Sequence, residues 1–354
     1  MYLKGKNSKI GITGIILIVC AFVVYISANA QSNGVLQNVG SAKLKIAVPF
    51  INIPESFRGM GENIIHDPGN TLNPFFSKLG ATRKSYLENN ILEKDYLLPQ
   101  PSDSMYVIHI GDSHIRGHVY PRTVRDMLTE SFGSIDYRDF GINGATCNSY
   151  LGSSKMREIC TYTLEQEPNP LAISDAGNPL KDQSVGIIAK HHKPNLIIVS
   201  FGTNESYGKY YNADEHYQQI DALVKALNEA FPGTPLLLTT PAGCYKAHRT
   251  SYKVKVPIGG RHSRSRRYKM VTRTRTTYSE NPFNAPCAET IVKYAKDNNI
   301  AYWDLYSVSG GRENACRNWT AARLMRPDHV HFLPDGYVLQ GQLLYCALIK
   351  EYNK

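Results

Sequence analysis

Apolar residues of this chain fall into short continuous runs, and amphipathic stretches separate the runs. The runs lie at about 106–110, 135–140, 195–201, 235–240 and 300–305. A short run that is apolar at nearly every position predicts a strand buried on both faces. The amphipathic stretches predict helices at about 119–132, 184–192, 212–230, 285–298 and 335–350. Strands that alternate with helices predict a parallel sheet covered on both sides.

This order of elements predicts a three-layer α/β/α fold with a central, mostly parallel five-stranded sheet of the flavodoxin-like kind. We place this main domain at residues 101–354. Residues 31–100 are predicted to form a polar tether and then a lead-in that packs on the main domain, with short helices at 72–79 and 84–93. The segment 161–182 is rich in Pro, Gly and Asn and predicts an insertion near the site.

The N-terminal 30 residues have the three parts of a secretory signal. Lysines and no acidic residues occupy 1–9, an apolar run follows at 10–26, and Ser27-Ala28-Asn29-Ala30 supplies the small residues of a cleavage site. An uncleaved N-terminal anchor is the alternative, because the apolar run is near the lower length for a membrane span. We therefore expect an exported protein, periplasmic or associated with the cell envelope, with a membrane-anchored form as the alternative.

Six cysteines follow the signal-like segment, and an even number permits disulfides in an oxidising compartment. They are Cys147, Cys160, Cys244, Cys287, Cys316 and Cys346. Local bridges between Cys147 and Cys160, or from Cys244 to Cys287 or Cys316, fit the spacing, and the sequence leaves the pairing open. Cys346 is expected to be a buried free thiol. No CxxC pattern is present, and we predict neither a metal nor an organic cofactor.

Candidate chemistry begins with Ser113, in the segment Tyr-Val-Ile-His-Ile-Gly-Asp-Ser-His-Ile that starts at Tyr106. The serine lies just past the carboxyl end of a predicted strand, where open α/β sheets form their ligand crevices. A serine in that position is a candidate nucleophile. The alternative is ordinary turn chemistry, in which Asp112 or Ser113 caps the next helix.

A serine nucleophile needs a base to take its proton and a third group to orient that base. Near the C-terminus, Asp328 and His331 are three residues apart, a spacing that puts both on one side of a helical turn. Asp328 could then accept a hydrogen bond from His331 Nδ1 and leave Nε2 to face the serine. His329 is expected to point elsewhere. A helix N-cap or a metal pair is the alternative for this motif.

Two polar turns offer donors for an oxyanion, which acyl transfer requires. Gly144 follows the second predicted strand and could turn its N–H into the crevice without a side chain in the way. Asn204 follows the third predicted strand, and its amide is a natural second donor. Each turn taken alone could also be an ordinary polar connection between a strand and a helix.

These four blocks, in this order, resemble the SGNH hydrolases, the GDSL esterase/lipase superfamily. They are Gly111-Asp112-Ser113, Gly141-Ile142-Asn143-Gly144, Gly202-Thr203-Asn204 and Asp328-His329-Val330-His331. The resemblance implies that Ser113 is the nucleophile, His331 the base and Asp328 the group that orients it. It also implies an oxyanion hole formed by the N–H groups of Ser113 and Gly144 and by the Asn204 amide.

One departure from the common pattern narrows the expected class of substrate. Many members of the superfamily have leucine after the serine, whereas this chain has His114. In that respect it is similar to the branch of exported carbohydrate esterases that includes peptidoglycan O-acetylesterases. We expect His114, Glu205 and Arg266 to contact the substrate.

Residues 246–275 contain 11 Lys or Arg residues and no acidic residue, as counted along the sequence. The chain has a formal net charge of +10, so the remainder carries 10 − 11 = −1. We predict a basic loop near the crevice. It is either a solvated loop or a rim that attracts an acidic polymer such as peptidoglycan or another acidic glycan. Export argues against a nucleic-acid partner.

The sequence thus predicts an exported serine esterase that removes O-acetyl or other short O-acyl groups from an envelope glycan or another polysaccharide. An O-acyltransferase, or a lipase or short-chain esterase of the same superfamily, remains the alternative. An alternative of another class is a non-catalytic glycan-binding protein.

Overall fold

The computed structural model describes residues 45–92, 105–133, 135–161, 163–167, 188–191, 193–258 and 267–354. All of them belong to one compact unit, Leu44–Lys354. The strands are β1 Met105–Gly111, β2 Ile135–Gly141, β3 Thr163–Glu167, β4 Ile188–His191, β5 Leu196–Ser200, β6 Leu236–Thr239, β7 Tyr245–Ile258, β8 Arg267–Glu280 and β9 Ala301–Trp303. The helices are α1 Asn73–Leu92, α2 Ser113–Arg116, α3 Val119–Phe132, α4 Cys147–Leu151, α5 Ser154–Thr161, α6 Thr203–Tyr207, α7 Ala213–Ala230, α8 Asn284–Asp297, α9 Leu305–Val308, α10 Gly311–Ala321 and α11 Pro334–Tyr352.

The central sheet has five strands in the order β2-β1-β5-β6-β9, and every neighbouring pair is parallel. The register aligns Gly111 with Gly141 and with Ser200, and Ser200 with Thr239. The carboxyl ends of four strands therefore meet at one edge. The predicted fold class, a parallel five-stranded sheet between helical layers, is confirmed.

Alternate residues of each central strand enter two separate cores. Val107 and Ile198 pack in a core with α1, α3 and α11, whereas Ile108 and Val199 pack in another with α4, α7 and α8. Because side chains alternate across a strand, only a run that is apolar at every position can supply both cores. This explains why β1 is buried along its whole length.

The lead-in packs against the edge strand β9. Phe57 and Ile65 enter the first core, and Trp303 Nε1 donates to Asn63 Oδ1 at 2.8 Å. His66 forms an antiparallel bridge with Tyr302. The prediction of two short helices at 72–79 and 84–93 is wrong, because one continuous helix, α1, runs through Gly80.

The predicted helix at 184–192 is also wrong where the structure describes it. Residues 188–191 form β4, which pairs antiparallel with β3. Backbone pairing between these two short segments replaces the helical hydrogen bonds that an amphipathic pattern suggested. Most of the predicted insertion at 161–182, and the signal-like segment at 1–30, lie outside the described residues.

The basic segment is a ribbon of two antiparallel strands, so the prediction of a loop is wrong. We call β7 and β8 together the basic ribbon. Their pairing is continuous from Tyr245 opposite Glu280 to Ile258 opposite Arg267. Thr, Val and Tyr alternate with Lys and Arg along both strands, and β-branched and aromatic residues favour extended backbone. The sequence pattern did not indicate strands here, because neither strand of the ribbon has a continuous apolar face.

The six cysteines after the signal-like segment are free thiols, so the local bridges that the spacing allowed do not form. Cys147, Cys244, Cys287, Cys316 and Cys346 are buried, and they fill core positions as small apolar side chains. Among the helices that the structure describes, none is both long and apolar enough to cross a membrane.

Candidate active site

Ser113 is the first residue of α2, directly after the carboxyl end of β1. The Asp112 carboxylate caps this short helix by accepting the His114 N–H at 2.9 Å. The helix lies tightly against the end of β2. A Cβ at Gly141 would come within 2.1 Å of Arg116 N, so only glycine permits this approach. The ends of β1 and β2 and the Asp112 cap together hold the serine at the edge of the sheet where the crevice opens.

The structure brings His331 and Asp328 to this serine. His331 Nε2 lies 3.0 Å from Ser113 Oγ, and His331 Nδ1 lies 2.9 Å from Asp328 Oδ2. The other carboxylate oxygen accepts the N–H groups of Val330 and His331, both at 2.9 Å. One carboxylate therefore shapes the turn and fixes the imidazole, as an orienting group in a serine triad must.

Hydrogen bonds and burial shift the pKa values of Asp328 and Asp112 in opposite directions. Burial acts to raise the pKa of Asp328, but the hydrogen bonds from Val330 and His331 outweigh it, and the pKa is lowered from its ordinary value. Asp328 is therefore an anion at neutral pH. Burial raises the pKa of Asp112 to about 7, although the His114 N–H opposes the shift.

His114 lies behind the imidazole of His331. Its ring stacks on that of His331 with centroids 5.3 Å apart, and its Nδ1 is 3.1 Å from the Tyr337 hydroxyl. Burial, followed by the neighbouring His331, lowers the pKa of His114 to about 3, so it is neutral at working pH. The structure thus places His114 against His331, and the predicted contact of His114 with substrate stays a prediction.

The two predicted oxyanion turns are joined to each other. Gly144 occupies a turn closed by Ala145 N–H and the Ile142 carbonyl, with φ at +72°, a conformation that favours glycine. Asn204 Nδ2 donates to the Ala145 carbonyl at 2.8 Å and lies 3.3 Å from Asp112 Oδ2. Asn204 therefore bridges the Gly144 turn and the residue that precedes the serine.

Glu205 braces these turns from behind. Its two carboxylate oxygens accept the Cys147 N–H at 2.8 Å and the Gly202 N–H at 3.0 Å. Burial raises the pKa of Glu205, and the two backbone hydrogen bonds act against that shift. Both oxygens are thus engaged by backbone, and the predicted contact of Glu205 with substrate stays a prediction. The third predicted contact residue, Arg266, lies outside the described residues.

A group of side chains with metal-ligand chemistry lies beside Glu205. In the described part of the chain, ligand atoms of Cys147, Glu205 and His216 lie within 4.8 Å of one another, and Cys287 Sγ is 3.8 Å from His216 Nδ1. His216 Nδ1 also lies 2.9 Å from the Tyr211 hydroxyl. Glu205 is bonded to backbone and His216 Nδ1 to Tyr211, whereas His216 Nε2 is buried and has no hydrogen-bond partner among the described residues.

A chain of buried polar groups crosses the sheet below the crevice. His109 Nδ1 lies 2.8 Å from the Tyr137 hydroxyl and Nε2 lies 2.7 Å from Ser200 Oγ, which is 2.7 Å from Thr239 Oγ1. Burial lowers the pKa of His109 to about 3. The chain ties together β2, β1, β5 and β6. The sequence did not reveal this chain of hydrogen bonds, because His109 is a single polar residue in an otherwise apolar strand.

His329 connects the basic ribbon to the turn that carries the base. It adopts a left-handed conformation with φ at +55°, and its carbonyl accepts the Tyr245 N–H at 2.9 Å. Its ring lies 5.4 Å from that of Tyr245 and 4.5 Å from that of Tyr278. His329 thus points away from Ser113 and fixes the turn between Asp328 and His331 to the base of the ribbon.

Comparisons with known proteins identify the family and the fold of this chain. A family model, GDSL-like lipase/acylhydrolase, matches residues 107–344. A solved peptidoglycan O-acetylesterase shares the fold with a TM-score of 0.54 at 12% identity, over 81% of this chain and 99% of that chain. The psychrotrophic esterase EstA of Pseudoalteromonas sp. aligns with a TM-score of 0.40 at 12% identity, over 70% and 99%.

A family 2 carbohydrate esterase with a carbohydrate-binding domain, from Corynascus thermopiles (Myceliophthora fergusii), aligns with a TM-score of 0.38 at 11% identity, over 73% of this chain and 68% of that chain. No curated protein matches the sequence. At 12% identity the peptidoglycan O-acetylesterase structure supports the fold alone, and the family match rests on the sequence itself.

Proposed function

Since the chain belongs to the GDSL-like lipase/acylhydrolase family and is a hydrolase of ester bonds, we propose that it removes O-acetyl groups from a polysaccharide. The observation that carries the proposal is the continuous contact from Ser113 Oγ through His331 to Asp328, with distances of 3.0 and 2.9 Å. A serine with its base in hydrogen-bond reach is equipped for acyl transfer.

In the proposed reaction, Ser113 Oγ attacks the ester carbonyl carbon while its proton passes to His331 Nε2. Asp328 stabilises the imidazolium, and the N–H groups of Ser113 and Gly144 and the Asn204 amide stabilise the oxyanion. The bond to the sugar oxygen then breaks, and that oxygen takes the proton from His331. Water attacks the acetyl-enzyme with His331 again as base, which releases acetate and restores the serine.

The choice of a short acyl group rests on the sequence, because His114 follows the serine as in the branch of exported carbohydrate esterases that the chain resembles. The choice of a glycan is supported by the fold shared with a peptidoglycan O-acetylesterase.

The decisive experiment measures acetate release from O-acetylated peptidoglycan and from acetylated xylan. We expect wild type to release acetate from at least one and Ser113→Ala to lose activity by roughly 10³-fold or more. The exposed Ser77→Ala is the matched control and should retain full activity. Full activity of Ser113→Ala would overturn the mechanism. Transfer of acetyl to an added sugar would identify a transferase instead.

Export is part of this proposal and rests on the sequence of residues 1–30. Mass spectrometry of the protein recovered from the cell envelope tests it. A mature chain that begins at Gln31 supports cleavage after Ala30. Recovery of the full-length chain from the membrane fraction would favour the anchored form, and recovery from the cytoplasm would contradict export.

A further inference from the structure

Residues 246–275, which include most of the basic ribbon, carry the excess positive charge of the molecule. Eleven basic residues and no acidic residue lie within this segment, eight of them on β7 and β8, whereas the rest of the chain sums to −1. Six cations in the described part of this segment are exposed and have no carboxylate partner there. They are Arg249, Lys253, Lys255, Lys269, Arg273 and Arg275. Unpaired cations at this density form a strong site for anions.

The strand register distributes these charges over both faces of the ribbon. Cross-strand partners share a face, so Arg249 opposite Thr276 and Lys253 opposite Thr272 lie on one side. Arg273, opposite Tyr252, and Arg275, opposite Thr250, lie on the other. Each strand has 14 residues, which corresponds to a length of about 45 Å at the usual rise of ~3.4 Å per residue.

Hydroxyl groups and exposed aromatic rings alternate with the cations. Thr272, Thr274 and Thr276 are exposed along β8, and the rings of Tyr252 and Tyr268 are 46% and 55% exposed. Hydroxyls exchange hydrogen bonds with sugar hydroxyls, and an exposed ring offers an apolar platform with a polar end. This combination suits a carbohydrate that also bears carboxylates.

The base of the ribbon reaches both sides of the catalytic crevice. Tyr245 and Tyr278 contact His329, two residues before His331. Lys246 Nζ donates to the Gly208 carbonyl at 2.6 Å, at the end of the helix that carries Asn204. A polymer that lies along the ribbon therefore leads towards Ser113.

We propose that the basic ribbon binds a carboxylate-bearing polysaccharide and presents its O-acetyl groups to Ser113; this rests on the proposed function. A linear polyanion can follow cations along the full length and on both faces. A membrane surface is a plane and meets only one side of the ribbon at a time. The distribution of charge thus favours the polymer over an anionic membrane.

The test uses the full chain with four ribbon cations neutralised together as Arg249→Gln, Lys253→Gln, Arg273→Gln and Arg275→Gln. A matched control makes the same change of charge elsewhere, as Arg125→Gln, Lys155→Gln, Lys225→Gln and Lys293→Gln. Those four form surface ion pairs, which contribute little to stability. Substrates are O-acetylated polygalacturonate, acetylated xylan and p-nitrophenyl acetate, and the polymer is assayed at low and high salt.

We expect KM for acetylated polygalacturonate to rise roughly 10-fold or more in the ribbon variant, relative to KM for p-nitrophenyl acetate on the same preparation. Added salt should remove most of the difference. The control variant should keep the wild-type ratio. Equal ratios in all three proteins, with hydrolysis intact, would overturn the ribbon proposal while leaving the proposed function standing.

Direct binding separates the two proposals. Wild type should retain deacetylated polygalacturonate in affinity electrophoresis, and the ribbon variant should lose that retention. If no acetyl ester is hydrolysed but retention persists, the proposed function fails and the polymer site stands. A different result would be that wild type binds anionic phospholipid vesicles or single-stranded DNA but not the polymer, and that the ribbon variant loses this binding. That result would overturn the polymer assignment in favour of the lipid or the DNA that is bound.

Discussion

At the scale of single residues, Asp112 and His114 contact the groups that form the proposed site. Asp112 caps the nucleophile helix and contacts Asn204. His114 supports the ring of His331. Asp112 is buried and His114 is partly buried, and removal from water favours the neutral form of both side chains. His114 is therefore neutral near neutral pH, whereas Asp328 is an anion.

Asp112 should make stability depend on pH. Its pKa is about 7 in the folded protein against 3.8 for the free side chain, so the folded chain keeps a proton that the unfolded chain has lost. The free energy of unfolding therefore falls as pH rises from about 4 to about 7. The asparagine in Asp112→Asn cannot ionise. The decrease in Tm from about pH 5 to about pH 8 should therefore be smaller in this variant than in wild type, by about 3 °C or more.

Calorimetry of both proteins at the two pH values measures this difference, which is independent of any constant loss from the altered contact with Asn204. The exposed Asp126→Asn is the control and should follow wild type. An identical drop in wild type and Asp112→Asn would show that the carboxyl group does not titrate in this range.

His114 is expected to act as a positioning residue for His331. His114→Ala removes the ring that stacks at 5.3 Å, and kcat for p-nitrophenyl acetate should fall roughly 10-fold with little change in KM. His114→Phe keeps a ring in place and should recover most of kcat. An equal loss in both variants would mean that the contact with Tyr337, and not the stacked ring, maintains the base.

At the scale of elements, the crevice depends on how short helices begin. α2, α4 and α6 each start directly after, or one turn beyond, the end of a parallel strand. Glu205 joins two of these starts by accepting N–H groups from Cys147 and Gly202. The oxyanion turns are thus one braced unit, and a change at Glu205 should be felt at Gly144 and Asn204 together.

Glu205→Gln tests this brace. The amide can accept only one of the two N–H groups and presents its own donor to the other, which should cost roughly 1–3 kcal/mol in the free energy of unfolding. We also expect a lower kcat, because the Asn204 turn loosens. Urea unfolding and p-nitrophenyl acetate kinetics measure both effects. Glu229→Gln, on the exposed end of α7, is the matched control, and equal behaviour of the two variants would contradict the brace.

The sequence predicted the elements whose signal is local. Continuous apolar runs located the five sheet strands, and their order along the chain located Ser113, Gly144, Asn204, Asp328 and His331 near one another. It could not predict the ribbon, whose two strands pack mainly on each other and present no buried face. It also could not assign His114 or Glu205, because their partners, Tyr337 and Cys147, lie far away in sequence.

At the scale of the whole molecule, the lead-in closes the open edge of the sheet. β9 is the last strand in the order, and His66 exchanges two backbone hydrogen bonds with Tyr302 at 2.9 and 3.0 Å. A strand edge left unpaired invites pairing with another chain. The lead-in therefore contributes to solubility as well as to the core that holds Trp303.

Removal of residues 1–66 should expose that edge, with Trp303 Nε1 left without Asn63. We expect a lower Tm and association beyond the state of the intact chain, measured by size-exclusion chromatography with light scattering. Removal of residues 1–44 alone is the control, because it retains every lead-in contact described here. A truncated protein that matches this control in Tm and mass would rule out the protective role.

The basic ribbon leaves and rejoins the body of the protein at one place. Tyr245 pairs with Glu280, and just below them Asn281 N–H donates to the Cys244 carbonyl at 3.1 Å. The outer part of the ribbon can therefore be shortened or given another charge by mutation without repacking the hydrolase beneath it. The proposed affinity for a polymer and the proposed cleavage of an ester can then be altered independently of each other.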